Sequence, residues 1–267
     1  MSRSGYISVG KEQMHYLKAG TGKRLLLAFH GYGNDAGIFS PIEQYLSKDL
    51  TILSFDLPHH GNSKWGNTPL TKKDLIQLVD SLKKEYGVER ISLLGYSLGG
   101  RICFTILEIM PASIDKVVLL ASDGLNKDAY YYFFSQTYFG KKLFRSILEK
   151  PGPYFKFLNW LQKRDLVDAS RHKFVMQSLA TEESRDLLSR VWPGLSDLVP
   201  APKKLKAAIT QYHIPVIIFM GAYDKIMPPA LGERFRSGLD TVQLYILDKG
   251  HRIFDSDTAE QIANSLL

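Results

Sequence analysis

Cysteine is nearly absent from this chain of 267 residues: Cys103 stands alone, so no intrachain disulfide can form and a reducing compartment is allowed. Cys103 has no CxxC partner and sits in the apolar run Ile102-Cys103-Phe104, the setting of a small buried hydrophobe rather than a metal or redox ligand. Long apolar runs are missing too. No stretch can span a bilayer, and Met1-Ser2-Arg3-Ser4-Gly5 lacks the apolar centre of a signal peptide, so a soluble, cytoplasmic protein without an integral membrane segment is expected. Internal repeats, low-complexity tracts and nucleic-acid-binding motifs are also absent, which excludes solenoids and gives no reason to expect a nucleic-acid partner.

What is present suffices for a large core: 45% of residues are apolar. Short β-branched or leucine-rich runs alternate with amphipathic stretches, the pattern of a mostly parallel sheet interleaved with helices. Strands are expected at residues 6–9, 14–18, 25–30, 51–56, 91–96, 116–121, 215–220 and 242–247, the first two as an antiparallel lead-in. The clearest helix begins at Thr71, with Asp74 completing a capping box and Leu75, Leu78, Val79 and Leu82 forming one stripe, and it ends near Gly87. Residues 125–205 break the rhythm. They hold no convincing strand but several aromatic-rich helical segments, among them 130–139 and 155–161, and Thr181 with Glu182 and Glu183 opens another. The expected organisation is a core domain of residues 1–124 and 206–267 with a helical cap inserted at 125–205.

Within the core, Gly95-Tyr96-Ser97-Leu98-Gly99-Gly100 follows the strand run 91–96 and opens a helix. A GxSxG corner between strand and helix holds its serine in a strained turn and exposes the hydroxyl at the tip of the sheet, which makes Ser97 a candidate nucleophile. A dinucleotide site would also need a glycine-rich turn here, but the pattern is not GxGxxG and no GK[ST] follows. Upstream, the run ending at Phe29 enters His30-Gly31-Tyr32-Gly33-Asn34-Asp35, a loop able to bring a backbone N–H to a reacting carbonyl. The N–H groups of Tyr32 and Leu98 are the candidate oxyanion donors. His30, at a strand end, is read as a loop-fixing residue rather than a catalytic one, and Asn34 and Asp35 as helix caps.

Downstream, the run 215–220 leads through Gly221-Ala222-Tyr223 to Asp224, and the run 242–247 leads through Asp248-Lys249-Gly250 to His251. Both residues fall at the carboxyl ends of strands, where open α/β sheets build their sites. The chain order Ser97, Asp224, His251 suits proton transfer from the serine to His251, with Asp224 fixing the imidazole tautomer. Asp123, after the run 116–121, is the rival acid. Asp248 is read as a turn or capping residue, and His15, His172 and His213 have no context that carries a role.

Taken in order, His30-Gly31-Tyr32-Gly33, Asp56-Leu57-Pro58-His59-His60-Gly61-Asn62-Ser63, the Gly95–Gly100 segment, Gly221 to Asp224 and Gly250-His251 resemble the landmarks of the α/β-hydrolase superfamily. The resemblance spans nearly all of the chain outside residues 125–205. It implies the α/β-hydrolase fold, with a mostly parallel sheet of about eight strands, helices on both faces, an inserted helical cap, and a site that needs neither cofactor nor metal. One departure is His59, where relatives commonly carry glycine. A serine at position 97 rather than an aspartate argues against the epoxide-hydrolase and haloalkane-dehalogenase branches.

The implied activity is carboxylesterase-like hydrolysis of a small-molecule carboxylic ester or thioester through an acyl-serine. A carbon–carbon bond hydrolase with the same triad, or a non-catalytic ligand-binding member of the fold, are the alternatives. Residues 125–205 carry 14 of the 31 aromatic side chains, which either build the core of the insertion or line an acyl pocket. The same residues hold 14 Lys/Arg against 8 Asp/Glu, most of the net charge of +7. Such an excess suits an anionic substrate, peripheral contact with a membrane surface, or simply a solvated face.

Overall fold

The computed structural model describes residues 3–126 and 129–267. Eight strands, β1 (Arg3–Val9), β2 (Glu12–Ala19), β3 (Arg24–Phe29), β4 (Leu50–Phe55), β5 (Ile91–Tyr96), β6 (Ile114–Leu120), β7 (Val216–Gly221) and β8 (Val242–Leu247), lie on the eight runs read from the sequence. They form one sheet in the order β1-β2-β4-β3-β5-β6-β7-β8. β1 pairs antiparallel with β2, and β2 antiparallel with β4. All other pairs are parallel. Strand order therefore reverses between β3 and β5, which opens a crevice beyond their carboxyl ends.

Around this sheet run α1 (Ser40–Leu46), α2 (Lys72–Tyr86) and α3 (Leu98–Ile109); the chain then forms α4 (Ala129–Gln136), α5 (Tyr138–Glu149), α6 (Pro151–Gln162), α7 (Ala169–Ala180) and α8 (Glu182–Gly194). After them come α9 (Pro202–Tyr212), α10 (Pro229–Arg236) and α11 (Ser256–Leu266). The chain divides into two compact units, one of Met1–Lys127 with Asp197–Leu267 and one of Asp128–Ser196.

In the larger unit, side-chain alternation along the strands covers both faces. Leu26, Ala28, Leu94, Val118 and Leu120 share a buried cluster with Ile42 and Leu46 of α1 and Ile262 and Leu266 of α11. The opposite face carries α3: a Cβ on Gly95 would stand 2.8 Å from the Cys103 sulfur. Cys103 is fully buried there, and burial pushes its thiol far above the ordinary range, as suits a packing residue. Burial of leucine- or phenylalanine-sized side chains at such sites contributes about 2–3 kcal/mol each. α2 begins where Thr71 and Asp74 cap each other reciprocally and ends at Gly87 in the left-handed conformation, φ 65°.

In the smaller unit, aromatic side chains build the core. Phe144 and Trp192 stack at 5.1 Å with an interplanar angle of 7°, and the Tyr131 hydroxyl donates to the Trp192 carbonyl at 3.0 Å. Other aromatic residues of this unit, including Tyr130, Tyr138, Phe139, Phe157 and Trp160, remain exposed.

Candidate active site

β5 delivers Ser97 to the crevice. Its backbone, φ 48° and ψ −113°, lies in a region that non-glycine residues seldom enter, and the tight corner is held by hydrogen bonds. Ser97 N–H donates to the Leu120 carbonyl at 2.8 Å, and Asp123 N–H donates to the Ser97 carbonyl at 2.9 Å. The turn admits no side chain at Gly99, where a Cβ would meet the Phe29 carbonyl oxygen at 1.8 Å. α3 can therefore begin directly against the end of β3, bringing Ser97 and the loop after β3 together.

The loop after β3 passes Ser97 at Gly31, whose Cβ, were there one, would stand 3.2 Å from the Ser97 Cβ. Tyr32 follows, and burial pushes its phenol up to about 12, so the ring remains neutral. Leu98 is the first residue of α3, and its N–H has no intrahelical acceptor because the helix starts there.

β7 and β8 supply the other two side chains. A Cβ at Gly221 would lie 2.1 Å from the Gly250 carbonyl oxygen, and Tyr223 N–H donates to the Lys249 carbonyl at 3.0 Å, so the two strand-end loops run in contact. His251 Nε2 lies 3.0 Å from Ser97 Oγ, and its Nδ1 lies 2.7 Å from Asp224 Oδ2. The other carboxylate oxygen of buried Asp224 accepts N–H groups from Ile226 at 2.8 Å and Met227 at 2.9 Å. A carboxylate offers only acceptors, so Nδ1 carries the imidazole proton and Nε2 faces the serine hydroxyl as an acceptor.

The remaining sequence candidates fall elsewhere. Asp123 is held by Arg101, whose Nε donates to Oδ2 at 2.9 Å, and by the Gly124 N–H at 2.6 Å; its carboxylate is committed beneath α3. Asp248 lies beside the Tyr223 phenol, and its negative charge holds that phenol above its ordinary range, while Asp35 accepts the Gly37 N–H at 2.8 Å, capping the 3-10 turn Ala36–Phe39. His30 fixes the loop: its Nδ1 faces the Gly31 carbonyl at 2.7 Å while Nε2 accepts the Leu57 N–H at 3.0 Å. Burial, reinforced by neighbouring His60, lowers its pKa to about 3.

A set of supporting residues goes beyond the sequence reading. Buried Asp56 accepts N–H groups from Ala36 at 2.6 Å and Asn62 at 2.7 Å, and its Oδ2 lies 2.8 Å from His15 Nδ1. His60 Nε2 accepts the Gly33 N–H at 3.1 Å. Together they tie the loop after β3 to the loop after β4. The only local signal was the length of the motif beginning at Asp56, because the His15 contact depends on the pairing of β2 with β4. His59 occupies φ 65°, the left-handed conformation that glycine adopts freely. A surface concavity lined by Glu233, Arg236, Leu239 and Asp240 lies on the α10–β8 side and includes none of Ser97, Asp224 or His251.

Comparison with known proteins agrees with this architecture. The chain is 25% identical over 249 residues to the uncharacterized hydrolase YugF of Bacillus subtilis, covering 92% of this chain and 89% of that protein. It is 26% identical over 219 residues to the pimeloyl-[acyl-carrier protein] methyl ester esterase of Edwardsiella ictaluri, covering 78% of each. Among solved structures, a hydrolase from Pseudomonas aeruginosa PA01 superposes with a TM-score of 0.69 at 19% identity, covering 99% of this chain and 97% of that one. The family model of the alpha/beta hydrolase fold matches residues 24–257, and with the sheet order and strand-end site already described, the chain belongs to the α/β-hydrolase family.

Proposed function

We propose that the protein is a serine hydrolase that cleaves a carboxylic ester or thioester through an acyl-serine intermediate. Ser97 Oγ attacks the acyl carbonyl while His251 Nε2 takes the hydroxyl proton, and Asp224 stabilises the imidazolium that forms. The negative charge on the carbonyl oxygen is received by the N–H groups of Tyr32 and Leu98, of which each such donor is worth about 3 kcal/mol in the transition state. Collapse breaks the acyl–oxygen or acyl–sulfur bond, His251 returns its proton to the departing alcohol or thiol, and water repeats the cycle to release the carboxylic acid.

The observation that carries this reading is the continuous hydrogen-bonded relay from Ser97 Oγ through both imidazole nitrogens to Asp224. Family membership supports it, as does the similarity to a relative named as a methyl ester esterase. Within the same reading, the insertion after β6 serves as the cap that selects the acyl group.

Turnover of p-nitrophenyl esters and acyl thioesters of graded chain length tests the proposal. The parent protein is expected to hydrolyse a subset of them, and Ser97→Ala to lose at least about 10³-fold in kcat. Retention of parental turnover by Ser97→Ala would overturn it. So would cleavage of a carbon–carbon bond in a ring-cleavage product by a protein inert toward every ester and thioester.

A further inference from the structure

Residues 150–164 contain Lys150, Lys156, Lys163 and Arg164 and no aspartate or glutamate. Most of this segment is α6, which is apolar on two sides. One side packs into the smaller unit through buried Leu158 and half-buried Tyr154, Phe155 and Leu161. The other faces water: Pro153, Lys156, Phe157 and Trp160 recur at helical i, i+3, i+4 and i+7 spacing, Lys163 and Arg164 follow in the turn that ends the helix, and all six are exposed. Phe157 is 52% exposed and Trp160 45%, and their rings stack at 6.0 Å with an interplanar angle of 15°. The Arg164 guanidinium sits 4.1 Å from the centre of the Trp160 ring.

A merely solvated helix face would carry mixed charges and small polar residues, with no reason to keep two stacked aromatic rings in water. We infer that the outer face of α6 docks the protein onto the surface of an anionic phospholipid bilayer. Charge complementarity selects this occupant. The cations flank the rings, Lys156 on α6 and Lys163 and Arg164 at its end, and meet lipid phosphates, while Phe157 and Trp160 enter the headgroup boundary, the depth amphipathic aromatic rings prefer. The attachment is peripheral, since no helix among the described residues is long and apolar enough to cross a membrane. The inference does not depend on which bond the enzyme cleaves.

Co-sedimentation of the full chain with vesicles tests it, comparing phosphatidylcholine alone with phosphatidylcholine containing phosphatidylglycerol. Binding is expected only with the anionic lipid, weakening as salt rises. Each cation at the surface accounts for about fivefold in partitioning, so Lys156→Glu/Lys163→Glu/Arg164→Glu should bind at least about 100-fold more weakly. Phe157→Ser/Trp160→Ser should lose binding as well, and Lys156→Arg/Lys163→Arg should retain it. Circular dichroism checks that each variant is folded. Quenching by brominated acyl chains provides a second reading on the unmutated protein, and part of it should vanish in Trp160→Phe. The inference is overturned by failure to bind anionic vesicles, by equal binding to phosphatidylcholine, or by folded variants that bind like the parent. Light scattering that shows a dimer dissociated by Phe157→Ser/Trp160→Ser would overturn it in favour of a second copy of the chain.

Discussion

Replacing Asp224 by asparagine leaves shape and volume intact but reverses the polarity of one contact. Oδ1 of Asp224 accepts two backbone N–H groups, from Ile226 at 2.8 Å and Met227 at 2.9 Å. In Asp224→Asn these donors claim the amide oxygen, so the NH2 group must turn toward His251 Nδ1, now 2.7 Å from Oδ2. Nδ1 then becomes the acceptor and the ring proton moves to Nε2, which can no longer take the Ser97 proton. A wrong tautomer of this kind lowers kcat about 10⁴-fold, equivalent to roughly 5 kcal/mol of barrier. Folding should lose only about 1 kcal/mol, because the amide oxygen still satisfies both N–H groups. Asp123→Asn should behave in the opposite way. It breaks the buried pair with Arg101, at a cost of roughly 3 kcal/mol or more in stability, and leaves activity per folded molecule close to parental. Steady-state hydrolysis of p-nitrophenyl acetate, paired with urea unfolding, separates the two effects. If Asp224→Asn kept activity within about tenfold of parental while Asp123→Asn abolished it, the tautomer reasoning would be refuted.

Two further outcomes follow from particular contacts. Gly99→Ala places a Cβ 1.8 Å from the Phe29 carbonyl oxygen, and only movement of the β3 end, with the loop carrying Tyr32, can relieve the overlap. It should cost about 1–3 kcal/mol in urea unfolding and depress kcat, and a variant with parental stability and rate would contradict the packing described. His30 has a folded pKa of about 3, against about 6.5 in an unfolded chain, so between those values the unfolded state holds the extra proton. Its contribution to stability is therefore complete above the unfolded value and is lost as pH falls toward 3, reaching about 2 kcal/mol of loss by pH 5. His30→Gln removes this titration, so the stability gap between parent and variant should narrow by that amount from pH 7 to pH 5; an unchanged gap would contradict it.

The five central strands, β3 to β7, were legible because parallel strands buried on both faces read as near-continuous apolar runs, whereas β1, β2 and β8 are partly exposed and carry a weaker signal. The third run overshot by one residue: His30 leaves the ladder because its ring binds the Gly31 carbonyl and the Leu57 N–H. Aromatic composition made residues 130–139 look like one helix. Thr137 divides them, since its side chain accepts the Gly140 N–H and caps α5. Ser97, Asp224 and His251 could be assigned to strand ends from local pattern alone, but the distances joining them could not. Asp56 with His15, His60 with Gly33 and Arg101 with Asp123 were out of reach for the same reason, since each joins residues far apart in sequence. Such contacts follow from strand order and packing, which local periodicity does not encode.

The most direct test of the account is intact-protein and peptide mass spectrometry after exposure to a fluorophosphonate. A serine activated by His251 and Asp224 should become phosphonylated once per chain, with the adduct on the peptide containing Ser97 and no adduct in Ser97→Ala or in protein unfolded by urea. A folded protein that resists the reagent, or an adduct that persists in Ser97→Ala, would contradict the assignment of Ser97 as the nucleophile.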